Sequence, residues 1–142
     1  MTQAVVRQFR ERRSGMIVNV TSSATLAPMP LVSVYTASKM AISGFTASLG
    51  HELAAFGIGV KLIEPGYAPT TKFIENSDVQ FEEAIPPAYL SFAQPILATF
   101  ERPRLVTTEA DVAETIWTAV TDGSDQLHYP AGPDAVELAK AA

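Results

Sequence analysis

Tyr35 and Lys39 are the residues whose types and spacing most directly suggest chemistry. They lie four positions apart in the stretch VSVYTASKMAISGF, which covers residues 32–45. Four residues make just over one helical turn, so a helix here would place both side chains on one face. An ammonium beside a phenol stabilises the phenolate. The pair therefore predicts a site for proton transfer, although Tyr-x-x-x-Lys alone often occurs by chance.

Polar residues also follow two predicted strands on either side of this pair. Residues 16–21, MIVNVT, form a short β-branched apolar run that is typical of a strand buried on both faces in a parallel sheet. Ser22 comes directly after it. Residues 59–65, GVKLIEP, form a second such run. Because ligands of open α/β sheets lie outside the carboxyl ends of the strands, these segments and the start of the Tyr35 helix are predicted to meet at one site.

The predicted elements alternate between helix and strand. They are a helix over residues 2–13 ended by Gly15, the strand 16–21, a helix from the capping residue Ser33 to about Phe56 closed by Gly57, the strand 59–65, a helix from Thr108 to Gly123 opened by a capping box with Asp111, a strand over 126–131 and a tail over 132–142. This order predicts an α/β fold, with a parallel sheet of about three strands flanked by helices.

Residues 67–106 interrupt this alternation. Prolines and aromatic residues recur along them, namely Pro69, Pro86, Pro87, Pro95, Pro103, Phe73, Phe81, Tyr89, Phe92 and Phe100. The prolines favour short helices over long ones. Because an irregular stretch of this length inside a compact domain is usually functional, we predict a mobile cover that serves as a substrate loop or lid.

Composition limits the class of protein. The chain has 142 residues, the size of one domain, and 47% of them are hydrophobic. Much apolar surface must therefore be covered in the folded state. The net charge is −5 and the basic residues form no long stripe, so nucleic acid is not an expected partner.

Several kinds of site and location are not expected. No apolar run approaches the roughly 18 residues of a membrane span, and no secretion signal is recognisable, so we expect a cytoplasmic protein without a membrane partner. The sequence has no cysteine, which excludes disulfides and thiolate metal sites. His51 and His128 lie too far apart to suggest a metal site, and we expect surface or structural roles for both.

Three motifs together resemble the C-terminal half of a short-chain dehydrogenase/reductase. They are NVTS at 19–22, YTASK at 35–39 and PGYAPT at 65–70, and they stand for the family's Asn-hydrophobic-Ser-Ser, Tyr-x-x-Ser-Lys and Pro-Gly-x-x-x-Thr. Their spacing also matches, and LHYPAGPDA is similar to a common ending. The resemblance covers nearly the whole chain. It implies that residues 1–142 are one partial domain, a partial Rossmann-like doubly wound parallel sheet.

The resemblance implies catalytic roles residue by residue. Ser22 would be the catalytic serine that contacts the substrate, with Ser23 as the competing candidate. Tyr35 would be the general acid for carbonyl reduction and the base for alcohol oxidation. Lys39 would favour the phenolate and bind the nicotinamide ribose, so that both Tyr35 and Lys39 also contact the cofactor.

The resemblance also implies a cofactor, NAD or NADP, and residues that hold it. Pro65, Gly66, Ala68 and Thr70 would touch its nicotinamide end, with Tyr67 as a further substrate contact. Ala68 departs from the family pattern, which usually has a larger aliphatic residue there. The family's Gly-rich phosphate-binding turn, Thr-Gly-x-x-x-Gly-x-Gly, does not occur in the sequence. We therefore expect the catalytic half of a longer enzyme, inactive alone, with the first strand at an unpaired edge.

Three functions remain open at this point. The first is an NAD(P)-dependent oxidoreductase that interconverts a small carbonyl compound and an alcohol. The second is a non-catalytic interaction module, because the resemblance implies that helices 2–13 and 34–56 pack in a homo-oligomer. The third is a nucleotide-sugar epimerase or dehydratase of the same superfamily, which the pattern disfavours because Thr36 rather than glycine follows Tyr35.

Overall fold

Three parallel strands form the sheet of this protein, in the order β1-β2-β3. The structure is a computed structural model that describes residues 2–73, 75–76 and 84–141. The strands are β1 (Gly15–Val20), β2 (Ile58–Pro65) and β3 (His128–Ala131). The predicted α/β fold with a three-stranded parallel sheet is confirmed.

The strand register brings distant residues together. Strand β1 pairs with β2 from Gly15 opposite Ile58 to Val20 opposite Ile63. Strand β2 pairs with β3 from Leu62 opposite His128 to Pro65 opposite Ala131. All three strands therefore end at the same edge of the sheet, as parallel pairing requires.

Five α-helices surround the sheet within the described residues. They are α1 (Thr2–Arg12), α2 (Ser33–Ala54), α3 (Leu90–Glu101), α4 (Glu109–Thr121) and α5 (Pro133–Ala141), with short 3₁₀ turns at Ser23–Thr25 and Pro87–Tyr89. The capping box of α4 is confirmed, since the Thr108 hydroxyl accepts from the Asp111 N–H and the Asp111 carboxylate accepts from the Thr108 N–H.

Two apolar clusters attach helices to opposite faces of the sheet. Ile58 and Val60 of β2 pack with Leu49 and Leu53 of α2. Ile63 of β2 instead packs with side chains of α4 and β3. Because successive side chains of a strand point to opposite faces, helices cover both faces, which is the doubly wound arrangement.

Strand β1 is less buried than its sequence predicted. It lies at the edge of the described sheet, as expected, and bonds to β2 on one side. Ile17 is buried, but Met16 and Val20 are 37% and 46% exposed. The prediction of burial on both faces is therefore wrong for this strand, because the described residues supply no neighbour for its outer side.

Two helix boundaries differ from prediction. Ser33 is not the cap of α2 but its first residue, and Val32 occupies the cap position without a side-chain hydrogen bond. Gly15 does not end α1, since it is the first residue of β1. Arg13 takes the left-handed conformation there instead, with φ of 51°.

The C-terminal segment is the largest correction to the fold. The predicted tail is the helix α5, which begins with Pro133 at a position where proline is favoured. Strand β3 is also shorter than predicted and begins at His128 rather than at residue 126. The helix matters for the site, because its first turn contacts the loop after β2 through Asp134.

Residues 67–106 contain more regular structure than expected. Helix α3 is twelve residues long and keeps Pro95 in its interior. Tyr89, Leu90 and Phe92 are exposed. Phe81 lies outside the described residues.

Candidate active site

Ser22 begins the turn that follows β1. The Thr21 N–H donates to the Ile63 carbonyl (2.8 Å), which extends the pairing of β1 with β2 by one residue. Ser22 then caps the 3₁₀ turn, and its Oγ accepts from the Ala24 N–H at 3.2 Å. Because this bond uses a lone pair of the hydroxyl, its O–H remains available to donate. The neighbouring Ser23 is buried.

The buried carboxylate of Glu64 bonds to this turn through Thr25. The Thr25 hydroxyl lies 2.7 Å from the Ser22 carbonyl oxygen and 2.9 Å from Oε1 of Glu64, which is 1% exposed. Nδ1 of His128 lies 3.2 Å from both carboxyl oxygens of Glu64. Glu64 is not among the residues that the sequence predicted for the site, although an acidic residue within an apolar strand is an unusual pattern. His128 has a structural contact, within the roles expected for it.

Tyr35 and Lys39 share one face of α2, as their spacing predicted. Nζ of Lys39 lies 5.5 Å from the centroid of the Tyr35 ring. Phe73 contacts the same ring edge-on, with centroids 6.1 Å apart. Within the part of the chain that the structure describes, neither the phenol oxygen nor the ammonium forms a hydrogen bond to protein. No described residue therefore competes with a ligand for either polar group.

Helix α2, which carries this pair, lies against the turn that follows Ser22. The helix packs against the 3₁₀ turn Ser23–Thr25 and against β2. Next to Tyr35, the Thr36 side chain is buried, and its hydroxyl has no hydrogen-bond partner among the described residues. Tyr35, Thr36 and Lys39, all in the first two turns of α2, thus carry polar groups that bond to none of the described residues.

The loop after β2 is held mainly through its backbone. Pro65 ends the strand. The Gly66 N–H donates to the Ala131 carbonyl at 3.0 Å, and the Tyr67 N–H donates to Oδ2 of Asp134 at 2.6 Å. The Tyr67 ring packs edge-on against Phe100, with centroids 5.3 Å apart. Tyr67 therefore joins the loop to helix α3.

The next residues of this loop form a turn. The Ala68 carbonyl accepts from the N–H of Thr71 (3.2 Å) and from its hydroxyl (2.8 Å). The Thr70 hydroxyl donates to Oε2 of Glu109 at 3.1 Å, at an exposed position. In this structure Thr70 thus has a protein partner at the start of α4, whereas Tyr35 and Lys39 have none within the described ranges.

A second polar centre, which the sequence analysis also missed, surrounds Lys61 in the middle of β2. Its side chain is 2% exposed, and Nζ bonds to the carbonyls of Ser124 (2.5 Å) and Gln126 (3.1 Å) and to the Tyr129 hydroxyl (3.0 Å). Three acceptors satisfy the three donors of an ammonium. A lysine within an apolar strand was the pattern that could have revealed it.

Asp122 completes the Lys61 centre. It accepts from the Ser124 N–H at 2.9 Å and from the Tyr129 hydroxyl at 2.7 Å. Its Oδ1 lies 3.7 Å from Nζ of Lys61. The Ser124 N–H, then the Tyr129 hydroxyl, the Ser124 hydroxyl and finally the Lys61 charge favour the carboxylate. Together they outweigh the opposing effect of desolvation and lower the pKa of Asp122 from 3.8 to about 2.

None of the helices in the described ranges is both long enough and apolar enough to cross a membrane. In the same ranges, no group of three or more histidine, aspartate or glutamate residues is arranged to hold a metal ion.

Comparison with known proteins identifies the family. The family profile described as short chain dehydrogenase matches residues 1–80. An uncharacterized oxidoreductase of Schizosaccharomyces pombe is 34% identical over 139 residues, which cover 95% of this chain and 56% of the relative. The chain belongs to the short-chain dehydrogenase family, so the resemblance inferred from the motifs is confirmed. It spans about half the length of this relative.

Solved structures agree with this assignment. A short-chain dehydrogenase from Streptomyces avermitilis superposes with a TM-score of 0.80 at 28% identity, over 99% of this chain and 50% of that one. A xylitol dehydrogenase with bound NAD⁺ superposes with a TM-score of 0.72 at 27% identity, over 92% of this chain and 53% of that one. The three-stranded sheet with its flanking helices is thus similar to about half of these larger Rossmann-like structures.

Proposed function

We propose that this chain is the catalytic half of an NAD(P)-dependent oxidoreductase that interconverts a carbonyl compound and an alcohol. Tyr35 is the general acid and base, and Lys39 and Ser22 assist it. The observation that carries this proposal is the Tyr35–Lys39 pair, in which Nζ lies 5.5 Å from the ring centroid and both polar groups lack hydrogen bonds to the described residues. The family assignment supports it.

The polar groups of Tyr35 and Lys39 fit the nicotinamide ribose of a dinucleotide. Ribose hydroxyls accept and donate hydrogen bonds, and Lys39 offers three donors while Tyr35 offers a donor and an acceptor. The xylitol dehydrogenase with bound NAD⁺ supports a nicotinamide cofactor for this chain. The proposed contacts of the cofactor's nicotinamide end are Pro65, Gly66, Ala68 and Thr70.

The chemistry divides between the cofactor and the protein. The nicotinamide, when bound, supplies or accepts the hydride. In the reduction direction Tyr35 donates its phenolic proton to the carbonyl oxygen as negative charge develops there. The Lys39 ammonium stabilises the phenolate that this leaves. In the oxidation direction the same phenolate takes the proton of the alcohol.

Ser22 stabilises the same oxygen atom. Its Oγ already accepts from the Ala24 N–H, so its own hydrogen is free to donate. A donor placed at the developing oxyanion is typically worth about 3 kcal/mol of transition-state stabilisation. The buried position of the neighbouring Ser23 supports Ser22 as the serine that meets the substrate.

The segment 67–106 forms the substrate loop in this proposal. Phe73 contacts the Tyr35 ring, and Tyr67 contacts Phe100 of α3. Aromatic side chains at the tyrosine favour a small carbonyl compound with an apolar part. Tyr67 is the proposed substrate contact of this loop.

An activity screen of the complete protein tests the proposal. NADH or NADPH consumption is followed by absorbance with a panel of aldehydes and ketones, and the reverse reaction with the matching alcohols. We expect turnover with at least one apolar carbonyl compound. Ser22→Ala should reduce kcat by about a hundredfold, which corresponds to one lost oxyanion donor. Absence of turnover with every pair, in protein that is folded and binds a cofactor, would reject the oxidoreductase assignment.

A second candidate function is an interaction module without activity. Helix α2 carries exposed apolar side chains, namely Val34, Met40, Ile42 and Phe45. Such a surface is typical of contacts between subunits. Calorimetry of this chain with NADH and NADPH separates the two functions, together with sedimentation of the chain and its Phe45→Glu variant. Millimolar or weaker cofactor binding with association that Phe45→Glu abolishes would favour the module.

A further inference from the structure

Asp134 lies where three segments that are distant in sequence meet. Its carboxylate belongs to the first turn of α5. Oδ2 accepts from the Tyr67 N–H at 2.6 Å, and Oδ1 lies 2.5 Å from the Thr107 hydroxyl. Both carboxylate oxygens are thus occupied by donors from the loop after β2 and from the segment before α4.

The same segments bond to each other around this carboxylate. The Gly66 N–H donates to the Ala131 carbonyl at 3.0 Å, and the Tyr67 carbonyl accepts from the Thr107 N–H at 2.8 Å. The N–H groups of both loop residues and the carbonyl of Tyr67 therefore have protein partners. Thr107 is fully buried.

Two glycines make this close approach possible. A Cβ at Gly66 would overlap the Asp134 carboxylate, and a Cβ at Gly132 would overlap Thr107. Gly132 also has φ of +94°, a conformation that other residues rarely adopt. The packing around Asp134 is tight on two sides and leaves no room for a side chain between the loop and the helix.

The charge of Asp134 suits its place at the start of α5. The N-terminus of a helix carries partial positive charge, which stabilises a carboxylate in the first turn. The two donors from Tyr67 and Thr107 add to this effect, because hydrogen bonds to a charged acceptor are stronger than those between neutral groups. The carboxylate is therefore a strong fixed point for the loop.

We propose that Asp134 is a positioning residue, which fixes the Gly66–Tyr67 backbone and thereby sets the place of the loop 65–70 against the cofactor. This inference rests on the proposed function, which assigns that loop to the nicotinamide end. Both oxygens of Asp134 bond to protein donors, so the residue acts through the loop and not by touching the cofactor. Its loss should weaken cofactor binding more than it slows the proton transfer at Tyr35.

The test compares Asp134→Ala, Asp134→Asn and Glu137→Ala in the complete protein. Asparagine keeps an acceptor oxygen for the Tyr67 N–H, so it should rescue much of the loss. Glu137 is the matched control, because it lies on the same helix and its polar contact among the described residues is an exposed one with Arg104 at 3.7 Å. The measurements are amide hydrogen exchange of Tyr67 and Thr107, the cofactor dissociation constant by fluorescence titration, and kcat.

For Asp134→Ala we expect amide exchange at Tyr67 and the cofactor dissociation constant each to rise about tenfold or more, as for one lost hydrogen bond to a charged group. The value of kcat at saturating cofactor should change by less than about threefold, well under the 10² or more that loss of a general acid costs. Glu137→Ala should leave amide exchange, the cofactor dissociation constant and kcat unchanged. If Asp134→Ala does not fold, Thr107→Val removes one of the two side-chain contacts, and we expect the same changes at smaller size.

Each other outcome has a defined meaning. Faster Tyr67 exchange with unchanged cofactor affinity would overturn the positioning role and leave the proposed function intact. If Asp134→Asn does not restore slow amide exchange and cofactor affinity, the hydrogen bond to the Tyr67 N–H is not the contact that fixes the loop. If the unaltered protein binds neither NADH nor NADPH, the proposed function fails together with the cofactor part of this inference. If amide exchange at Tyr67 is unchanged in Asp134→Ala, then Asp134 does not fix the loop, whatever the cofactor affinity.

Discussion

Two lysine–tyrosine pairs occur among the described residues, and they differ in what surrounds them. Lys61 lies 5.1 Å from the ring centroid of Tyr129, and Lys39 lies 5.5 Å from that of Tyr35. The residue types and the distances are thus nearly the same. The hydrogen bonds are not, because Nζ of Lys61 has three protein acceptors, whereas Nζ of Lys39 has none among the residues that the structure describes.

The comparison teaches how a structural pair differs from a pair available for chemistry. An ammonium that is 2% exposed, as at Lys61, must be fully bonded to be tolerated in the interior. A half-buried ammonium such as Lys39 can leave its donors to solvent or ligand. The number of bonds already made to protein is therefore more informative about function than the presence of the two residue types.

The largest expected effect comes from Tyr35→Phe in the complete protein. The substitution removes the proton donor, so kcat should fall by about 10²–10⁴-fold, the usual contribution of general acid–base catalysis. The variant should still bind cofactor, because Lys39 and the loop 65–70 remain. The free energy of unfolding should change little, because the phenol has no hydrogen bond to the described residues. Steady-state kinetics and urea unfolding measure both effects. Retained turnover would remove Tyr35 from the proposed mechanism.

Lys61→Met should produce the largest loss of stability. It removes three hydrogen bonds from a buried ammonium to the Ser124 and Gln126 carbonyls and the Tyr129 hydroxyl, and each hydrogen bond to a charged group is typically worth about 1.5–3 kcal/mol. Urea denaturation gives the free energy of unfolding. Lys39→Met is the matched control and should cost less than about 0.5 kcal/mol, as most surface substitutions do. If the two substitutions lower the free energy of unfolding equally, Lys61 is not the structural lysine of the two.

Tyr129→Phe should have a smaller effect on stability. The Tyr129 hydroxyl donates to Asp122 and lies 3.0 Å from Nζ of Lys61, so its removal should cost about 1–3 kcal/mol. Tyr35→Phe serves as the control with the same chemical change and no such contacts. The two variants are compared by their midpoints of urea unfolding. A larger loss for Tyr35→Phe than for Tyr129→Phe would reverse the roles assigned to the two tyrosines.

Acid pH should weaken the Lys61 centre selectively. The pKa of Asp122 is lowered from 3.8 in the unfolded chain to about 2 in the fold. Its contribution to stability is therefore present above pH 3.8 and is lost as the pH falls towards 2. Asp122→Asn should reduce the dependence of the unfolding free energy on pH in this window. Chemical denaturation at several acidic pH values measures the slope, and an unaltered slope would contradict the assignment.

The part of the molecule that the sequence predicted well depends on local spacing. Tyr35 and Lys39 lie on one helical face because four residues make about one turn, and Thr108 and Asp111 form a capping box because they are three apart. The two apolar strands were recognisable because apolar residues, several of them β-branched, are concentrated there. These patterns need no information about which distant segments meet.

The contacts that were missed depend on the strand register and on the fold as a whole. Lys61 and Tyr129 are 68 positions apart, and Asp134 and Tyr67 are 67 apart. A lysine or a glutamate in an apolar strand shows that a partner exists, but it does not show which residue that is. The segment 132–142 was predicted to be a tail because its own sequence does not show that its helix contacts the loop after β2.

The edge position of β1 also has a practical consequence. Its outer main-chain groups belong to a row that a further strand could bond, since such bonds depend on backbone geometry and not on side-chain identity. Co-expression with a separate polypeptide bearing complementary strands could thus reconstitute a wider sheet without a covalent link.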